Sequence, residues 1–158
     1  LNVSAHTIMH PDFCSIFTDF VDKHQLAPNK FGLEVTETAE LSDISIASKS
    51  LSLLKDKGIK IALDDFGAGY ASLKYVRDLP IDVVKLDKHF TFNVSDSSTA
   101  RLISFVSEVC EDLELEMIGE GIETEEDKNM MLDLGCKIGQ GYLMHRPDFL
   151  DSFKVKET

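Results

Sequence analysis

Apolar residues along the chain follow two alternating rhythms. Short runs rich in branched side chains read as strands: 1–5 (LNVSA), 31–37 (FGLEVTE), 59–65 (IKIALDD) and 82–87 (DVVKLD). Two more strands are predicted, one within 114–123 (ELEMIGEGIE) and one over 137–144 (KIGQGYLM). Between them, apolar residues recur every three or four positions, the spacing of one helix face. Phe13, Ile16, Phe17, Phe20 and Val21 mark one such face. Ile44, Ala47, Leu51 and Leu54 mark a second, stopped at Lys57-Gly58, and Leu102, Phe105, Val106, Val109 and Leu113 mark a third. A short helical segment over 72–78 precedes Pro80, and Thr124 with Asp127 spells a capping box for a last helix ending at Gly135. Six strands alternating with helices predict one α/β domain, 1–158, built on a parallel sheet with a covered outer face.

Polar residues interrupt this pattern at the strand ends. Asn2 lies in the first strand, Glu34 and Glu37 in the second, and Asp64-Asp65 close the third. Lys85 sits late in the fourth, Glu120 and Glu123 end the fifth, and Gln140 lies in the sixth. Parallel strands that curl into a barrel bring such residues to one mouth. Taken alone, Asp64-Asp65 fit a solvated turn. Gathered with the other acids they would repel, since two unit charges 4 Å apart cost ~4 kcal/mol at an effective dielectric of ~20. Some must protonate, or cations must sit among them. An oxygen-only donor set, carboxylates plus the Asn2 amide, suits Mg²⁺, Mn²⁺ or Ca²⁺, and adjacent acids can bridge two such ions. No His or Cys joins the cluster, which disfavours zinc.

Composition narrows the classes. Hydrophobic residues make up 43% of the 158, so a core can form, and no apolar run approaches the ~20 residues of a membrane span. The formal charge of −12, without a long basic run, excludes a partner such as extended DNA or RNA. Cys14, Cys110 and Cys136 are far apart and odd in number, as expected of free thiols in a reducing cytoplasm. Leu1 opens abruptly inside an apolar run with no methionine, and the chain is expected to be a piece of a longer protein. His6 and His10, though spaced i,i+4, are followed by Pro11 and read as surface residues; Phe13, Phe17, Phe20 and Met130-Met131 read as core.

Six segments in order resemble the EAL-domain family, the phosphodiesterases that open cyclic di-GMP to linear pGpG. LNVS resembles the family's N-x-S strand, LEVTE its E-[IVL]-T-E strand and DDFGAGYASL its DDFGTGYSSL signature. DVVKLD, GEGIET and GCKIGQGYLMHRP resemble the lysine strand, AEGVET and the closing QGY…P segment. The resemblance implies a partial TIM-type (β/α) barrel with about six of its strands. The family's E-x-L-x-R segment, which supplies a metal ligand and a phosphate-binding arginine, is not among the 158 residues.

By resemblance, Asn2, Glu34 and Asp64 hold a first metal, and Asp64 also bridges to a second that Asp65 joins. Lys85 resembles the lysine beside the attacking water, steadying developing charge or handling a proton. Glu120 resembles a glutamate that is either a ligand or the general base. Glu123 and Gln140 resemble further polar residues of the mouth, and Glu37 the glutamate that anchors the Asp-Phe-Gly loop. Ala68 and Ala71 stand where threonine and serine are common, in the loop that couples dimerisation to metal binding in relatives. The implied chemistry is hydrolysis assisted by two Mg²⁺ or Mn²⁺ ions, with water attacking phosphorus in line and the 3′ oxygen leaving. The implied partners are cyclic di-GMP, a second copy of the chain, and upstream sensory or cyclase-like domains. A receptor that binds without cutting is the alternative, and the 158 residues alone are expected to be weak or inactive.

Overall fold

A computed structural model describes residues 1–36, 43–68 and 72–149. Six strands alternate with helices: β1 (Asn2–Val3), β2 (Gly32–Thr36), β3 (Lys60–Phe66), β4 (Val83–Leu86), β5 (Glu116–Gly119) and β6 (Ile138–Gly139). The helices are α1 (Ala5–Ile8), α2 (Phe13–Lys23), α3 (Ile44–Asp56), α4 (Ser72–Asp78), α5 (Lys88–Phe92), α6 (Ser97–Asp112) and α7 (Glu125–Asp133). The strands form one parallel sheet in chain order, β1 to β6. Parallel neighbours need crossover connections, which the intervening helices supply.

Side-chain alternation then divides the sheet into two unlike faces. Leu33, Val35, Ile61, Leu63, Val84 and Leu86 are all 0% exposed. They share one core with Ala47, Leu51 and Leu54 of α3 and Ile103, Val106 and Cys110 of α6. Each fully buried Leu or Ile contributes roughly 1.5–3 kcal/mol. The residues between them face the other way, and the register aligns them: Asn2 with Glu34, Glu34 with Ala62, Thr36 with Asp64, Ala62 with Val83, and Lys85 with Ile118. The strands bury hydrocarbon on one face and present charge on the other.

The expected helix punctuation is present. Asp43 caps α3 by accepting from the backbone N–H groups of Ser45 and Ile46, and Gly58 follows its end at φ +90°. Thr124 and Asp127 form the capping box that opens α7. Gly135 ends that segment at φ +94°, where a Cβ would lie 2.2 Å from Ser107 Oγ.

Four expectations are corrected. The first strand is two residues long rather than five, because Ser4 accepts from Thr7 N–H and starts α1 at Ala5. The last strand ends at Gly139 and not at 144, since the chain turns and Leu143 N–H returns to the Ile122 carbonyl. On α2, Phe13 and Phe17 are half-buried with ring centroids 5.9 Å apart, but Ile16 and Phe20 are exposed. On α6 the buried stripe is Ile103, Val106 and Cys110, while Leu102 and Phe105 face outward. Helix α5, capped by Asp87, has no counterpart in the sequence reading. Met131 is fully buried, His6 and His10 are exposed, and all three cysteines are free thiols. Among the described residues no helix is long and apolar enough to cross a membrane.

Candidate functional site

Strict alternation would send the adjacent carboxylates of Asp64 and Asp65 to opposite faces of β3. A bulge prevents this. Leu63 pairs with Val84 and Phe66 with Leu86, so three steps on β3 match two on β4. Asp65 absorbs the extra residue at φ +56°, a left-handed conformation that aspartate tolerates better than most residues. Both carboxylates reach the same region: one oxygen each from Asp64, Asp65 and Glu120 lie within 4.8 Å of one another.

Lys85, only 6% exposed, supplies the cation inside this group. Its Nζ lies 2.7 Å from Asp64 Oδ1, 2.7 Å from Glu120 Oε1 and 3.5 Å from Glu34 Oε2. Burial alone would pull its pKa down, but the hydrogen bonds to Asp64 and Glu120 outweigh it and hold the ammonium well above the usual lysine range. In the metal-free cluster Lys85 is therefore a positive charge at neutral pH. Asp65 is under the opposite pressure. Burial raises its carboxyl first, the charges of Asp64 and Asp87 add to that, and Lys85 and Lys88 oppose it only in part.

The remaining candidates lie around this centre. Asn2 sits directly opposite Glu34 in register. Glu34 stands at the margin through its contact with Lys85 and outside the tight oxygen group, which Glu120 joins instead. Glu123 and Gln140 are exposed, and with Lys88, Phe92, Glu120 and Tyr142 they line an open cleft of about 250 Å³ beside the cluster. The Arg146 guanidinium lies 4.4 Å over the Tyr142 ring at its edge. Glu37 and Ala71 lie outside the described residues.

Sequence reasoning missed two residues. Asp87, 7% exposed, accepts from the His89 backbone N–H, meets the His89 ring and presses on Asp65 electrostatically. Its signal was a polar residue closing DVVKLD. Thr91, 1% exposed, donates to the main-chain carbonyl of Glu120 at 2.5 Å. Nothing local in the sequence marks it.

The donor set fits a divalent cation. Asp64, Asp65, Glu120 and Glu34 carry four formal negative charges against one from Lys85, leaving three uncompensated. Oxygens from three side chains gathered this closely match the preference of hard cations. A fixed ammonium at the same place can also meet a phosphate.

Three relatives frame this geometry. The EAL domain family matches residues 1–147. The cyclic di-GMP phosphodiesterase PdeA of Borreliella burgdorferi is 33% identical over 149 residues, which is 94% of this chain and 22% of that protein. The bifunctional diguanylate cyclase/cyclic di-GMP phosphodiesterase MucR of Pseudomonas aeruginosa is 34% identical over 93% of this chain and 22% of its own length. The MucR phosphodiesterase solved in complex with c-di-GMP superposes with a TM-score of 0.85, covering 95% of this chain and 61% of that one. BlrP1 of Klebsiella pneumoniae, solved with manganese and cyclic di-GMP, superposes with a TM-score of 0.82 at 30% identity, covering 90% and 37%. The chain spans less than a quarter of the length of the curated relatives it matches.

Proposed function

The chain belongs to the EAL-domain family, and on that premise we propose that its parent protein is a cyclic di-GMP phosphodiesterase producing linear pGpG. The observation that carries this reading is the meeting of Asp64, Asp65 and Glu120 around the buried Lys85. Asp64 and Asp65, flanked by Glu34 and Asn2, are the residues that would hold Mg²⁺ or Mn²⁺ at a two-metal site. Such ions, when bound, acidify water and neutralise phosphate charge.

The chain's own groups divide the rest of the work. Lys85, an ammonium paired with Asp64 and Glu120, steadies charge developing on the phosphate oxygens or handles a proton of the attacking water. Glu120, 2.7 Å from that ammonium and grouped with Asp64 and Asp65, is assigned the two roles the resemblance leaves open, metal ligand or acceptor of the water's proton. Glu123 and Gln140 line the cleft in which the nucleotide would extend. Glu37 remains the proposed anchor of the Asp-Phe-Gly loop.

The PdeA and MucR names and the cyclic-di-GMP complexes of MucR and BlrP1 support this substrate. Among the described residues β1 and β6 are the outer strands of the sheet, which supports self-association, and MucR's pairing of cyclase and phosphodiesterase supports further domains in the parent. The 158 residues alone are proposed to be weak, since no E-x-L-x-R segment lies among them.

The test is turnover of cyclic di-GMP by the parent protein. Accumulation of pGpG with Mn²⁺ or Mg²⁺, arrest by EDTA, and roughly a 100-fold loss in Glu120→Gln are expected. Absence of pGpG with either metal would overturn the reading, and tight binding without cleavage would make the protein a receptor instead.

A further inference from the structure

We propose that Thr91 is a positioning residue for Glu120, gripping its main chain while Lys85 grips its side chain. The proposal deepens the hydrolase reading above and rests on it. Among the described residues three polar or charged side chains are buried: Lys85, Asp87 and Thr91. All three fall within seven consecutive residues, from the end of β4 through α5. Lys85 takes the Glu120 carboxylate at 2.7 Å. Asp87 caps α5 by accepting from the His89 N–H at 2.8 Å. Thr91, on the last turn of α5, sends its hydroxyl across to the Glu120 carbonyl at 2.5 Å.

A buried threonine in a helix ordinarily satisfies its hydroxyl on a carbonyl of its own preceding turn. Thr91 spends its donor instead on a residue 29 positions away. Its acceptor sits one residue past the end of β5. The Glu120 N–H still reaches back to the Leu86 carbonyl at 3.2 Å, so Glu120 is tied to β4 through its nitrogen and to α5 through its oxygen. The next residue shows how tightly the two segments meet. Gly121 has φ +70°, and a Cβ there would lie 2.6 Å from Lys88 Cβ and 3.3 Å from Lys88 Cα. The 85–91 segment is thus a two-point clamp on Glu120. Removing the backbone point frees the peptide to rotate and moves the carboxylate relative to Asp64 and Asp65.

The experiment compares wild type, Thr91→Val and Thr91→Ser in the parent protein, reading kcat and KM for cyclic di-GMP hydrolysis and, separately, Mn²⁺ affinity by calorimetry. Valine keeps the volume and removes the hydroxyl; serine restores it. A loss of roughly tenfold, the low end for residues that orient metal-site groups, is expected in kcat and in Mn²⁺ affinity for Thr91→Val. KM should stay near the wild-type value, and Thr91→Ser should return both quantities to within about twofold of wild type, in line with the same range. Wild-type kcat and Mn²⁺ affinity in Thr91→Val would overturn the proposal, as would equal impairment of both variants. Should wild type itself produce no pGpG, the hydrolase reading fails, and the Mn²⁺ affinities alone then decide the positioning role.

Discussion

At the scale of single residues, the site is defined by two groups under opposite stress. Lys85 is held charged by its carboxylate neighbours, while Asp65 is charged against the pressure of burial and of Asp64 and Asp87. A carboxyl whose folded pKa lies above its unfolded value, ~3.9, contributes its stability below that value and loses it as pH rises through the folded one. Ionised Asp65 therefore costs the metal-free protein stability at neutral pH. Asp65→Asn keeps the size and the tolerance of φ +56° but removes the charge. In EDTA at pH 7 the variant is expected to melt above wild type, with the difference shrinking as pH falls through the carboxylate range. Added Mn²⁺ should reverse the order, because wild type keeps the Asp65 ligand and gains more by binding it. A variant melting at or below wild type in EDTA would show that the charge is not stressed. The acids and Lys85 were legible in sequence because each is a polar residue within or at the end of an apolar strand. Thr91 was not, since its only distinguishing contact joins α5 to β5, and Asp87 was read as the close of a strand rather than as a cap.

At the scale of elements, the chain's pattern predicted type better than extent. Six strands and the long helices were readable, but β1 and β6 shrink to two residues each because a strand ends where its pairing ends. A Ser4 cap and the turn at Gly141 decide those limits. The bulge in β3 was likewise invisible: an extra residue shows only against its partner strand, yet it is what brings Asp65 beside Asp64. Helix α6 carries apolar residues on neighbouring faces, so a 3.6-residue period fits both Leu102-Phe105-Val109 and Ile103-Val106-Cys110. The structure buries the second set. Ile103→Ala is accordingly expected to cost about 2–5 kcal/mol in denaturant unfolding, while Leu102→Ala should fall within about 0.5 kcal/mol of wild type. Equal losses in the two variants would mean that α6 is rotated from the position described.

At the scale of the whole molecule, one face of a parallel sheet carries the core and the other carries the chemistry. The net charge of −12 looks unsuited to a phosphate-bearing ligand until the placement of Lys85 and the capacity of the acids for cations are considered together. Electrostatic repulsion among Asp64, Asp65, Glu120 and Glu34, only partly answered by one lysine, is what a divalent ion would relieve. The fold class was legible because alternating elements leave few arrangements other than a parallel sheet, whereas the geometry of the cluster depends on register and could not be read from spacing. The most direct measurement is a manganese anomalous-difference map from crystals of the parent protein grown with Mn²⁺. A peak is expected at about 2.0–2.4 Å from carboxylate oxygens of Asp64 and Asp65, with Glu120 adjoining it. A map in which manganese binds elsewhere, or leaves these acids bare, would contradict it.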